Sequence, residues 1–142
     1  MLDEWYPPSE IWSHWWKPHC IWLITHLQEL KEGHYPTRDG GSGYTDGYGK
    51  TKNYHTSHST AEAEEMYAEI DRRLVKCRED GVLLKLHYAL GESPEVIAKH
   101  FDIPTDEVER RIKIALKYIA RKKVNFTYRR WFYAKYQPKK LN

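Results

Sequence analysis

At 142 residues, 40% hydrophobic and 30% charged, the chain has the makings of one domain around a single core. No apolar run is long enough to cross a bilayer, and no basic start leads into an apolar run with a small-residue cleavage site. Two cysteines, Cys20 and Cys77, are too few for a disulfide framework, so a soluble, intracellular chain with both thiols reduced and buried is expected.

The net charge of +3 hides a split. Residues 1–109 carry 11 Lys/Arg against 20 Asp/Glu, a balance of −9, whereas residues 110–142 carry 12 and none. A surface kept soluble by mixed charge does not segregate it so completely, and a polyanion partner for the C-terminal third is the simpler account.

Residues 1–32 are rich in tryptophan: Trp5, Trp12, Trp15, Trp16 and Trp22. Ser9 is placed to cap a short helix ending near Lys17, since Pro18 follows. A second helix over residues 19–32 should bury Cys20, Leu23, Ile24, Leu27 and Leu30 and stop at Gly33. The tryptophans serve either core packing or a protein-facing hot-spot surface.

Residues 33–59 hold six of the eight glycines among Tyr, Ser and Thr and show no apolar period. They read as a long irregular loop, in which Tyr35, Tyr44, Tyr48 and Tyr54 with Arg38, Lys50 and Lys52 suit contacts that order on binding. Ser59 and Glu62 then form a capping box for a helix to about Glu79, with Ala63, Met66, Tyr67, Ile70, Leu74 and Cys77 on one face. Arg72 and Arg73 fall mostly off that face. Gly81 should end this helix, and residues 82–90 should make a short one with Leu83, Leu86 and Leu90 inward.

Residues 83–120 resemble a helix-turn-helix. Ser93 sits at an N-cap, Pro94 follows at the first helical position, and a helix over residues 94–100 is expected. Pro104 forces Ile103 out of the helical region, so the chain turns. Thr105 then caps a second helix in which Val108, Ile112, Ala115, Leu116 and Ile119 make one buried stripe. Arg110, Arg111, Lys113 and Lys117 lie on the free face. Beyond it, Arg121 opens a tail that interleaves cations with Phe126, Tyr128, Trp131, Phe132, Tyr133 and Tyr136. Those rings can stack on bases or pack back on the tryptophan-rich N-terminus.

Catalysis has no support, because no nucleophile elbow, phosphate loop or dinucleotide fingerprint is present. No cofactor is implied. His14, His19, Cys20, His26, His34, His55 and His58 lack CxxC or HExxH spacing, and no metal is expected.

The run Leu-His-Tyr-Ala-Leu-Gly-Glu-Ser-Pro-Glu-Val-Ile-Ala-Lys-His-Phe-Asp-Ile-Pro-Thr-Asp-Glu-Val-Glu-Arg-Arg-Ile resembles region 4 of bacterial sigma factors. With Trp12, Trp15 and Trp16, the Tyr35-Pro36 pair and the helix AEAEEMYAEIDRRLVKC, the layout is similar to phage antitermination Q proteins of the lambdoid-phage 21 type and related phage late-gene regulators. The resemblance implies a mostly α fold, a small helical bundle with a C-terminal sigma region 4-like helix-turn-helix and a long irregular loop. It further implies a protein of the bacterial host cytoplasm that binds double-stranded DNA beside a late promoter, joins RNA polymerase and carries it through terminators. Ser93, Pro94, Glu95 and Lys99 would then lie on the support helix near phosphates. Thr105, Asp106, Glu107, Glu109, Arg110 and Arg111 would start the recognition helix, with Arg110 or Arg111 reading guanine and Glu107 or Glu109 accepting from cytosine. Lys113, Lys117 and Arg121 would hold the backbone. Asp106, Glu107 and Glu109 depart from what a DNA-facing tip needs, since they repel phosphates while stabilising the helix terminus. The alternatives are a late-gene activator without antitermination and a DNA-packaging protein like a small terminase subunit.

Overall fold

The computed structural model describes residues 4–37, 49–124, 127–128 and 131–132, with side chains for all of these except 49–59. The loop expected over 33–59 is helical from Gly49 onward, against expectation. Its 38–48 part, the ordering contacts expected of Arg38, Tyr44, Tyr48, Lys50, Lys52 and Tyr54, and the rings of Phe126, Tyr133 and Tyr136 lie outside this description. Among the described residues the fold is a small all-helical bundle. Its helices are α1 (Pro8–His14), α2 (Lys17–Thr25), α3 (Leu27–Lys31), α4 (Gly49–Lys76), α5 (Glu79–Leu84) running on into a π-helical turn (Lys85–Ala89), α6 (Pro94–Phe101) and α7 (Thr105–Ile119). None is long and apolar enough to cross a membrane.

Prolines, more than Ser9, set the N-terminal segment. Pro7 precedes Pro8 and is therefore held extended (ψ 151), so α1 starts at Pro8 and not on a Ser9 cap. The helix stops at His14, earlier than Lys17, because Trp15 adopts the left-handed conformation (φ 53) and closes it through an N–H bond to the Ile11 carbonyl at 2.8 Å. The helix expected over residues 19–32 is divided into α2 and α3 at His26 (φ −104, ψ 23). One residue earlier the Thr25 hydroxyl donates to the Ile21 carbonyl at 2.8 Å, the kind of back-bond that bends a helix. Gly33 ends α3 as expected, at φ +87 and with its N–H on the Leu30 carbonyl. The tryptophans divide their service. Trp15 and Trp22 are in the core, whereas Trp12 is 39% and Trp16 56% exposed.

Helix α4 begins ten residues before the Ser59–Glu62 capping box, consistent with a strong amphipathic segment propagating upstream at one hydrogen bond per residue. It ends at Lys76, and Gly81 lies inside α5, so Gly81 is not the terminator. The break is made at Arg78 (φ 56, ψ −124). Gly81 serves close approach instead: a Cβ there would stand 2.1 Å from the Leu74 carbonyl oxygen. Leu83 is buried and Leu86 packs against the core, but Leu90 is 67% exposed. The π-turn adds a residue to the last turn, as in the Leu90 N–H to Lys85 carbonyl bond, and this advances the phase enough to carry Leu90 out of the apolar stripe.

A single core joins these elements. Helix α7 packs on α5 and α6, α2 crosses the π-turn, α4 and α7, and α3 lies on α4. The C-terminal hairpin is thus built against the N-terminal half of the chain.

Candidate nucleic-acid interface

The hairpin of α6 and α7 follows from local chemistry. The Ser93 Oγ accepts the Val96 N–H at 3.2 Å, and Pro94 occupies the first turn. At the far end Asp102 takes the left-handed conformation (φ 60, ψ 47) and the Ile103 N–H reaches back to the Ala98 carbonyl at 3.1 Å. Glycine usually closes a helix this way, and aspartate is among the few other residues that tolerate it. Thr105, expected as the cap of α7, is its first helical residue instead. Pro104 holds the cap position, extended at ψ 149, while its carbonyl already accepts the Glu107 and Val108 N–H groups at 3.1 and 3.2 Å.

Helix α7 buries the expected Val108, Ile112, Ala115, Leu116 and Ile119, and Ile114 and Tyr118 besides. Contacts on two sides leave a narrow exposed strip: Asp106, Glu109, Arg110, Lys113 and Lys117. From Arg110 to Lys117 it spans about 10 Å of helix axis, a length comparable with a major groove's width. Lys99 and Thr105 border a shallow depression at the hairpin's turn with Glu95 and Asp102. Ser93 lies at the opposite end of α6, its hydroxyl committed to the cap.

Arg111 departs from the free face. One helical step from Arg110, it turns toward α5, where its Nε donates to the Glu107 carboxylate at 3.0 Å and its Nη1 lies 3.6 Å from Asp80 Oδ1. Arg110 donates to the same Glu107 at 3.1 Å. One of the three acids at the tip is thereby paired within the chain, while Asp106 and Glu109 stay exposed.

The C-terminus of α7 is capped from within. Arg73 is 2% exposed and donates to the backbone carbonyls of Ile119 (2.8 Å), Arg121 (2.5 Å) and Lys122 (3.0 Å) and to Glu69 (2.7 Å). Its guanidinium carbon lies 3.9 Å from the centre of the Trp15 ring. Carbonyls that a helix end leaves without partners are thus satisfied, and the backbone carrying Arg121, Lys122 and Lys123 is fixed. Burial works against ionisation of Glu69, but hydrogen bonds from Arg72 and Arg73 outweigh it and hold the carboxyl below its usual range.

The described tail aromatics pack back on α7. Tyr128 and Trp131 lie 5.1 and 5.4 Å from the Tyr118 ring, and Arg121 lies over Trp131 at 5.2 Å. The Tyr128 hydroxyl donates to Asp80 Oδ2 at 2.6 Å. Burial pushes the Asp80 carboxyl up against the opposing pull of Tyr128 and Arg111, and burial with the Asp80 bond pushes the Tyr128 phenol up as well.

Arg73, expected mostly off the buried face of its helix, is instead buried, and Asp80 is not singled out by the sequence. For Arg73 a signal existed, since it stands three residues after Ile70 and seven after Met66, on the apolar stripe of α4. Asp80 offered none, because its partners are about thirty and forty-eight positions away in sequence.

Cys20 and Cys77 are free and buried, and burial pushes the Cys20 thiol up to about 12. His19 spends one ring nitrogen on the Trp16 N–H and the other on Glu10, each at 3.1 Å. Among the described residues no group of three or more His, Cys, Asp or Glu could hold a metal ion. No family model, curated protein or solved structure matches the chain.

Proposed function

We propose that this chain is a sequence-specific DNA-binding protein acting as a phage-type transcription antiterminator, which engages RNA polymerase at a late promoter and promotes readthrough of terminators. The observation that carries the DNA-binding part is the Ser93-capped hairpin whose second helix exposes one strip, ending in Arg110, Lys113 and Lys117, with Lys122 and Lys123 exposed beyond the helix end. A helix buried on two sides by its own domain, with cations along its remaining edge, suits insertion into a groove whose walls are phosphates. The complete segregation of charge at residue 110 supports the same surface. The antitermination part rests on the sequence resemblance alone.

Purified chain added to a reconstituted bacterial transcription reaction, on a template carrying a phage late promoter and a downstream terminator, should raise the full-length fraction. Increased initiation with unchanged termination would instead mark an activator. A ring-shaped oligomer without effect on transcription would mark a packaging component and overturn the proposal.

A further inference from the structure

The neighbouring arginines of α7 are equivalent in sequence but not in their surroundings. Successive helix positions point about 100° apart, so only one of the two can share the exposed strip with Lys113 and Lys117. Arg110 does, three residues before Lys113 and seven before Lys117. Arg111 sits between two carboxylates, Glu107 and Asp80. Asp80 is itself committed on both oxygens, Oδ1 toward Arg111 and Oδ2 to the Tyr128 hydroxyl, and its side chain is only 11% exposed. Moving Arg111 to a DNA base would leave that carboxylate short of its cation in a buried setting, a costly loss. Moving Arg110 costs little: its bond to Glu107 is at the surface, and Glu107 keeps Arg111 when Arg110 departs. The Phe132 ring, 5.8 Å from the Arg110 guanidinium carbon, adds a second restraint on that side chain.

We infer that Arg110 is the base-reading arginine and that Arg111 is a positioning residue, held by Asp80 and Tyr128 so that Glu107 presents Arg110 to the groove. The inference rests on the DNA-binding reading above and refines it. It also ties the tail to the reading helix, since the Tyr128 hydroxyl reaches Arg110 through Asp80, Arg111 and Glu107.

The test starts with selection from a randomised duplex pool by the wild-type chain, followed by affinities for the selected duplex and all its single-base-pair variants. Arg110→Ala should flatten discrimination at one base pair by roughly ten- to a hundredfold. Arg111→Ala and Tyr128→Phe should weaken the selected duplex severalfold while leaving every preference in place. Both of these losses should vanish in the Arg110→Ala background, as coupled residues require and as a general loss of folding would not produce. Tyr128→Phe keeps the ring in the aromatic cluster and guards against simple unfolding. Flattening by Arg111→Ala with preferences intact in Arg110→Ala, or losses that add across the double variants, would overturn the inference while leaving DNA binding standing. A wild-type chain that enriches no sequence would overturn the DNA reading and the base-reading role together. In the DNA-free protein the Arg111 Nε–H signal should exchange more slowly in NMR spectra than that of Arg110, and lose that protection in Tyr128→Phe. Equal exchange in both arginines would overturn the positioning chain whatever the DNA result.

Discussion

Among the described residues, three without glycine's freedom sit at positive φ: Trp15, Arg78 and Asp102. Arg78 is the most strained of them, because φ 56 with ψ −124 is a region that side chains with a Cβ rarely enter. Three residues on, Gly81 has the opposite circumstance, a helical backbone whose missing Cβ leaves room for the Leu74 carbonyl. Around the start of α5 the chain therefore holds a glycine where space is short and an arginine where the backbone is strained. Arg78→Gly should stabilise the chain by about 1 kcal/mol, and Asp102→Gly by a smaller amount because aspartate tolerates the left-handed region. Gly81→Ala should destabilise it by about 2 kcal/mol or more, since a backbone carbonyl at 2.1 Å cannot yield as a flexible side chain would. Urea midpoints measured on the three variants would check both signs, and an unchanged midpoint for Gly81→Ala would contradict the packing at this crossing.

Arg73 joins three helices at once: it leaves α4, stacks on the residue that closes α1, and caps α7. Arg73→Met should cost about 3 kcal/mol or more, because the partly buried carbonyls of Arg121 and Lys122 lose this donor, the Ile119 carbonyl loses one of its donors, and Glu69 loses its buried cation. Its partner Glu69 makes this junction sensitive to acid. The folded-state pKa of Glu69 lies below the ordinary 4.5, so its contribution is full above that value and lost as pH falls through it toward the folded value. Asp80 has the opposite sign, since its pKa is raised above 3.8 and folding favours its protonated form. The stability advantage of wild type over Glu69→Gln should therefore be constant near neutrality and shrink below pH 4.5, which denaturant titrations at several pH values would follow. At this scale the sequence was legible where signals are local. Ser93, Pro94 and Pro104 bounded α6 and α7 to within a residue or so, because caps and prolines act on their immediate neighbours. It was illegible where the π-turn changed the phase at Leu90, and where Arg73 and Asp80 met partners brought in by tertiary packing. The exposed strip lay between these cases: periodicity placed Arg110, Lys113 and Lys117 on it, and the pairing of Arg111 with Glu107 and Asp80 shows which of the two arginines is held off it.

For the molecule as a whole, the charge split of the sequence becomes a gradient along the exposed edge of α7. Asp106 and Glu109 stand at the hairpin's tip, Arg110, Lys113 and Lys117 follow, and Lys122 and Lys123 are exposed past the end of α7. A polyanion laid along this edge is attracted at one end and repelled at the other, so the acids act as a brake on non-specific binding. Lys113→Ala and Lys117→Ala should each weaken binding to all duplex sequences alike and lower the steepness of the salt dependence by about 0.9 in the slope of log K against log salt. Glu109→Gln should do the reverse, raising affinity for every duplex and most of all for unselected sequence, because it removes repulsion without adding a base contact. Glu107→Gln should differ from it, since Glu107 is already paired with Arg110 and Arg111 and its loss frees two cations along with removing one acid. Fluorescence anisotropy against selected and scrambled duplexes over a range of salt would separate these outcomes. Equal gains from Glu107→Gln and Glu109→Gln would mean that the tip repels as a block and that the internal pairing of Glu107 has no bearing on binding. A larger gain for Glu109→Gln on scrambled than on selected duplex is what a brake on non-specific association requires.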